Sequence, residues 1–93
     1  MHYDSKILFS LIKLFWLQSE HGKVPIRNMA YQLMEVGRWH SKTRKEIYDY
    51  LLLLIDTGHI ELLSKEPLLY QFTDKGKTIE TIDDIERIAM EGG

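Results

Sequence analysis

The sequence predicts a mainly α-helical domain with a small β-hairpin, an α+β fold in the order helix, short extended piece, helix, helix, hairpin, helix. Apolar residues recur at helical spacing in three segments before residue 58 and in one after residue 73. Two strand-like runs, HIELL and LLYQF, are joined by a connection that contains a proline. The 93 residues are 44% hydrophobic, which suits one folded domain spanning residues 1–93.

The first helix is predicted over residues 5–19, with Asp4 or Ser5 as its cap. One broad face should be the core side: Ile7, Leu8, Leu11, Leu14 and Phe15. Phe9, Ile12 and Trp16 form a second apolar stripe at spacings of three and four. A helix that is apolar on two sides is either central in its domain or shared with a partner, and in a chain this short we expect it to be shared.

The second helix is predicted over residues 27–36, after a short extended piece that contains Gly22 and Pro25. Its inward residues should be Met29, Ala30, Leu33 and Met34. Gly37 should end this helix, and Trp39 should fill the space between the second and third helices.

The third helix is predicted over residues 43–57, because Thr43 and Glu46 have the spacing of a capping box and Gly58 suits a left-handed cap. Its core side is expected to hold Ile47, Tyr50, Leu51, Leu54 and Ile55. Leu52 and Leu53 fall outside this arc and are a surplus of apolar residues that the pattern does not explain.

The hairpin is predicted over residues 59–73 and the last helix over residues 74–90, with Thr73 as the cap of that helix. Ile79, Ile82, Ile85 and Ala89 share one face of the predicted last helix, and Ile88 fits that face poorly.

Basic side chains are concentrated in one part of this weakly acidic chain. Residues 21–45 hold six lysines and arginines and one acidic residue, whereas the segments after residue 45 are acidic. A basic segment of this kind predicts contact with an anionic partner, although it can also be a solvated surface. Asp49 and Asp56 lie on the outward side of the third helix and would repel an anionic partner such as a phosphate group.

Several function classes are not expected. The chain has no cysteine, and its four histidines lack the spacing of a metal site, so we expect neither metal nor cofactor. No acid/base or nucleophile arrangement indicates an enzyme, and no small-molecule ligand is predicted. The apolar runs are shorter than the roughly 18 residues of a membrane span and no signal peptide is evident, which favours the cytoplasm.

In this order of elements, the chain resembles the winged helix-turn-helix transcription regulators. Thr43, Arg44-Lys45, Tyr50-Leu51, Leu54 and Gly58-His59-Ile60 are similar to that family's third helix and first wing strand. QFTDKGK, at residues 71–77, is similar to its sequence opening the last helix, with Phe72 where leucine is common. Small single-domain regulators of archaea and their viruses, and PadR-like or MarR-like repressors, are the types it resembles most. A viral member would act in the host cytoplasm.

The resemblance implies binding of double-stranded DNA, with the start of the third helix in the major groove and the hairpin as a short wing. Ten residues are the expected DNA contacts: Arg27, Arg38, His40, Ser41, Lys42, Thr43, Arg44, Lys45, Tyr48 and Lys65. Regulators of this kind are commonly two-fold dimers, and we expect a homodimer through Phe9, Ile12, Trp16, Ile82, Ile85 and Ala89.

Two alternatives stay open at this stage. A winged-helix protein-interaction module would suit the acidic total charge, the weak wing and the surplus leucines, especially if Leu52 and Leu53 are exposed. Leucines covered by other elements would favour DNA binding. A DNA-binding component of replication, or of plasmid or viral genome maintenance, would use the same surface as a transcription regulator.

Overall fold

A computed structural model describes residues 3–79 and 81–91, without the side chains of residues 82 and 91. Its elements are α1 (Ser5–Gln18), β1 (Ile26–Arg27), α2 (Ala30–Trp39), α3 (Arg44–Asp56), β2 (Ile60–Lys65), β3 (Leu68–Phe72), a 3₁₀ turn (Gly76–Thr78) and α4 (Ile82–Glu91). The predicted fold class and element order are confirmed. None of the described helices is both long and apolar enough to cross a membrane.

The strands form one antiparallel sheet in the order β1-β3-β2. Tyr70 of β3 lies opposite Ile26 on one side and Leu62 on the other. The register of β2 shifts between Leu62 and Ser64, which places an irregularity in the edge strand. Pairing of β3 with β1 therefore joins the hairpin to the segment between α1 and α2.

Helix α1 forms the centre of the core, and its predicted core face is confirmed for the four residues Ile7, Leu8, Leu11 and Phe15, which are buried. The second stripe is largely covered by the same chain. Ile12 is buried, and Trp16 packs edge-on against Phe72 with ring centroids 5.2 Å apart. Helix α4 and the segment before it supply this cover, since Ile79 and Ile85 line the same cleft as Ile12 and Trp16. A helix central in its domain therefore explains most of the double apolar character.

Helix α2 starts and ends later than predicted. Arg27 is in β1, and Gly37 lies inside the helix, where it is buried. Its inward face holds Met29, Leu33 and Val36, whereas Met34 and Trp39 are 47% and 55% exposed instead of packed. The predictions for these two side chains were wrong: Met34 lies about 100° around the helix from the buried Leu33, and Trp39 lies beside Leu14 and Leu17 of α1.

Helix α3 has the predicted cap and a wider buried face than predicted. Ile47, Leu51 and Leu54 are fully buried, as expected for the core arc. Leu53 is also buried, at 4% exposure, whereas Leu52 is 40% exposed. Because α3 packs against both α2 and β2, its buried arc extends further around the helix than one contact would require.

Helix α4 begins at Ile82, and Thr73 is therefore not its cap. The Thr73 hydroxyl accepts a hydrogen bond from the Gly76 amide at 3.0 Å and donates one to the Gly58 carbonyl, which closes a turn after β3. The first turn of α4 is instead held by Thr81 and Asp84, whose backbone amides each donate to the other's side chain. Ile88, which fits the apolar face of the predicted helix poorly, is buried in the structure.

Candidate nucleic-acid interface

The turn between α2 and α3 is tight because two backbone segments approach closely at Gly37. The Lys42 amide donates to the Gly37 carbonyl at 2.7 Å. A Cβ atom at position 37 would lie 2.5 Å from the Lys42 carbonyl oxygen, closer than atoms can pack. Ser41, at the corner of the turn, has a positive φ of 56°. This turn fixes where α3 begins relative to α2.

Thr43 and Glu46 form the predicted capping box at the start of α3. The Glu46 amide donates to the Thr43 hydroxyl at 3.1 Å, and the Thr43 amide donates to the Glu46 carboxylate at 3.0 Å. The hydrogen bonds from Thr43 lower the pKa of Glu46, and the positive charge of Lys42 lowers it further. The two hydrogen bonds cap the first turn of α3.

Arg44 and Lys45 extend from this first turn into solvent. Both are exposed, and neither forms an ion pair with any residue that the structure describes. Two other predicted cations are partnered, because Lys42 lies 3.9 Å from Glu46 and Arg38 lies 3.4 Å from Glu35. Exposed pairs of this kind are weak, about 0–1 kcal/mol, so they would exchange readily for a phosphate. Among these four cations, Arg44 and Lys45 are therefore the most available to bind an anionic partner.

His40 is less available than the sequence suggested. It is the C-cap of α2, and its Nε2 atom lies 2.9 Å from the Ser10 hydroxyl of α1. This hydrogen bond holds the ring against α1 at intermediate exposure. The sequence did not reveal this structural partner, and contact of His40 with a phosphate stays a prediction.

Arg27 and Lys65 are carried by the sheet. Arg27 lies opposite Leu69 on one side of β3, and Lys65 lies opposite Leu68 on the other. Neighbouring strands are about 4.8 Å apart, so the backbones of these two cations are about 10 Å apart across β3. Because Leu68 and Leu69 are consecutive in β3, the side chains of Lys65 and Arg27 point to opposite faces of the sheet although their backbones are close.

A groove of about 610 Å³ opens beside the start of α3. Tyr48 and Leu51 of α3 line it together with residues from α2 and the sheet, and Arg44 and Lys45 lie on its wall. Seven of its lining residues were not among the predicted site residues: Asn28, Met29, Ala30, Leu33, Leu51, Leu68 and Tyr70. The alternation in LLYQF places Leu68 and Tyr70 on one face, but nothing in the sequence indicated that this face would meet α3.

Two of the six residues predicted for a dimer interface are partly accessible in the single chain. Phe9 is 42% exposed and Trp16 is partly buried. Ile12, Ile85 and Ala89 are buried within the chain, and the side chain of Ile82 lies outside the described part of the structure. Formation of a homodimer stays a prediction, and the three buried side chains offer no surface for it.

Within the described residues, no group of three or more His, Cys, Asp or Glu side chains is placed to hold a metal ion. No protein-family model, no curated protein and no solved structure matches this chain. The order α-β-α-α-β-β-α with an antiparallel hairpin is consistent with a winged-helix-like fold.

Proposed function

We propose that this protein binds double-stranded DNA in a sequence-specific manner, as a transcription regulator of the winged helix-turn-helix type. The observation that carries the proposal is a pair of exposed cations, Arg44 and Lys45, that have no ion-pair partner among the described residues. They lie in the first turn of a helix held by a tight turn against α2. An α-helix fits the major groove, where arginine and lysine side chains pair well with guanine.

The surrounding residues support distinct roles in the same complex. Ser41 and Thr43 are exposed beside the start of α3 and suit contacts to a phosphate. Tyr48 is 42% exposed one turn further along the helix, where it would contact the wall of the DNA major groove. Arg27 and Lys65 each offer one cation, on opposite faces of the sheet. Arg38 and Lys42 offer two more when a phosphate replaces their weak ion-pair partners. The wing itself contributes little charge.

Asp49 and Asp56 oppose this proposal but do not exclude it. Asp56 is exposed at the far end of α3, three turns beyond the cations. A helix that enters the major groove with its first turns keeps its far end away from the phosphates. Asp49, one turn past Lys45, is only partly exposed. The arrangement therefore favours insertion of the helix start.

The test is selection of bound fragments from random double-stranded DNA, followed by affinity measurements on the selected sequence. We expect Arg44→Ala with Lys45→Ala to weaken binding at least about tenfold, because a good side-chain contact to a base is worth about 1–3 kcal/mol. The salt dependence of binding should also become shallower, by about one unit of log–log slope for each phosphate contact that the substitutions remove.

A matched control is Lys6→Ala with Lys13→Ala, which removes two exposed cations from α1. This variant has the same net charge as the first and should keep most of the affinity. If no sequence is enriched, or if both folded variants bind the selected DNA equally well, the assignment of α3 as the recognition helix is wrong. The selected sequence also supplies the site whose genomic position separates transcription control from replication or genome maintenance.

The two surplus leucines favour different hypotheses. Burial of Leu53 explains that residue as part of the core, as DNA binding would require. Leu52 at 40% exposure is a specific observation in favour of the protein-interaction module, since an apolar side chain on the outward face has no role in phosphate contact. Failure of the DNA selection in a folded protein would make that module the better candidate.

We further propose that the protein acts as a homodimer. Two-fold regulators bind palindromic sites with half-sites about one helical turn apart, and such a repeat in the selected DNA would support the dimer independently. Among the residues of the predicted interface whose side chains are described, Phe9 is the most exposed.

A further inference from the structure

The groove beside α3 has an apolar floor that continues onto the open surface around it. Leu51 and Met29 lie at its base, and the half-exposed Tyr48 and Leu68 line its sides. Leu52 is one turn beyond Tyr48 on α3 and is 40% exposed, although it does not line the groove. The apolar surface is therefore longer than the groove.

The sheet extends this surface on the other side. Leu62 is 41% exposed and lies directly opposite Tyr70 in the register of β2 and β3, so both side chains are on the same face of the sheet. Leu68, two residues from Tyr70, is on that face as well. A ligand that only filled the groove would leave Leu52 and Leu62 in water, whereas an extended partner would cover them.

Tyr70 adds a polar group inside the groove. Its side chain is only 6% exposed, yet its hydroxyl makes no hydrogen bond within the described part of the chain. No described polar atom is sealed from solvent without a partner, so this hydroxyl opens into the groove that Tyr70 lines. A tyrosine hydroxyl is protonated at neutral pH and can donate to a carbonyl oxygen. Burial raises the pKa of Tyr70 further from that range.

Arg44 and Lys45 give one wall of the groove a positive charge that no described acidic residue neutralises. A partner that covers the leucines has to pass these two cations, and acidic side chains complement them. We propose that the surface formed by the groove and by Leu52 and Leu62 binds a protein segment in which apolar side chains are flanked by acidic ones, with one peptide carbonyl on the Tyr70 hydroxyl.

This inference deepens the proposed function and rests on it in one respect: the segment and DNA would compete for Arg44, Lys45 and Tyr48. An acidic partner would then release the protein from DNA, which is a means of regulation. Binding of the segment itself does not depend on DNA.

The test is selection from a displayed library of random dodecapeptides, carried out without DNA. We expect the enriched sequences to combine leucine, isoleucine or aromatic residues with aspartate or glutamate. A synthetic peptide of the enriched sequence is then titrated into the protein, and its dissociation constant is measured by isothermal titration calorimetry. A peptide with its acidic residues changed to the matching amides should bind at least about fivefold more weakly.

Three variants examine the three parts of the surface. Tyr70→Phe should weaken the peptide at least about threefold, since it removes a single hydrogen bond. Leu52→Ser should weaken it about fivefold, because less apolar surface is buried on binding. Arg44→Gln with Lys45→Gln should weaken it about tenfold. Tyr31→Phe, on the exposed side of α2, is the matched control for Tyr70→Phe and should leave the dissociation constant unchanged.

The outcomes separate this inference from the proposed function. Peptide binding that responds to these variants supports the inference even if no DNA sequence is selected, in which case DNA binding alone is wrong. The inference is overturned if no acidic and apolar sequence is enriched, or if the peptide binds all folded variants equally. If the selected peptide and the selected DNA bind the protein at the same time, the proposed regulation by competition is wrong.

Discussion

Glu46 connects the stability of α3 to pH. Its pKa in the folded chain is lowered by the hydrogen bonds from Thr43, whereas in the unfolded chain it keeps its ordinary value near 4.5. A lowered folded pKa means that the ionised carboxylate favours the folded state. Its contribution is complete above the unfolded pKa and is lost as pH falls through the lower folded value.

We therefore expect Glu46→Gln to reduce the free energy of unfolding at pH 7 and to have a smaller effect at pH 3. Glutamine keeps an oxygen for the Thr43 amide, so the change isolates the charge of the cap. Urea unfolding of both proteins at the two pH values measures the difference. Glu86→Gln, on the exposed side of α4, is the control. A Glu46→Gln effect that is equal at both pH values would contradict the role of the ionised carboxylate.

Single residues with local partners were predictable from the sequence, and residues with distant partners were not. Thr43 and Glu46 are three residues apart, so their spacing alone predicted the capping box, and the structure confirms it. The partner of His40 is Ser10, 30 residues away on another helix, and no local pattern indicates this contact. The place of Tyr70 in the groove was also not predictable, because that groove exists only where the sheet meets α2 and α3.

At the scale of elements, Gly37 determines how α2 meets α3. We expect Gly37→Ala to lower the free energy of unfolding by about 1–3 kcal/mol, because the new methyl group meets the Lys42 carbonyl and the turn has to move. Movement of the turn displaces the start of α3, so affinity for the selected DNA should fall as well. Chemical denaturation and DNA titration measure the two effects.

Tyr31→Ala on the exposed face of α2 is the control for this change, with an expected effect within about 0.5 kcal/mol. Gly37→Ala with unchanged stability would mean that the turn relaxes without cost. The same glycine explains why the end of α2 was misplaced: glycine commonly ends a helix, but here it allows close packing of two backbones.

The last helix was misplaced for a related reason. Thr73 with Asp74 has the composition of a helix start, and the local sequence alone cannot distinguish a helix cap from a turn. The hydroxyl of Thr73 bonds to Gly58, 15 residues earlier, so a contact with the end of α3 decides the outcome. Elements bounded by local signals were predicted well, while those bounded by long-range contacts shifted by several residues.

At the scale of the whole molecule, α4 and the segment before it cover most of the α1 surface that the sequence suggested for a partner. An apolar patch that includes Phe9 remains exposed on α1 and at the end of α2. Phe9, Leu17 and Trp39 are 42%, 58% and 55% exposed, and they line a cleft of about 280 Å³. A chain of 93 residues has a limited core, so burial of this patch against a second copy would add useful stability.

If the homodimer forms through this patch, Phe9→Glu should convert it to monomers, since two buried carboxylates would face each other across a two-fold axis. Trp16→Glu is a poorer test, because Trp16 packs on Phe72 within the chain and its loss would destabilise the fold. Light scattering at micromolar concentration measures the mass of each variant. Leu63→Glu, an equally exposed apolar residue on the wing, is the control and should leave the dimer intact. A wild-type chain that is monomeric at this concentration would contradict the dimer, and a dimeric Phe9→Glu variant would place the interface on another surface.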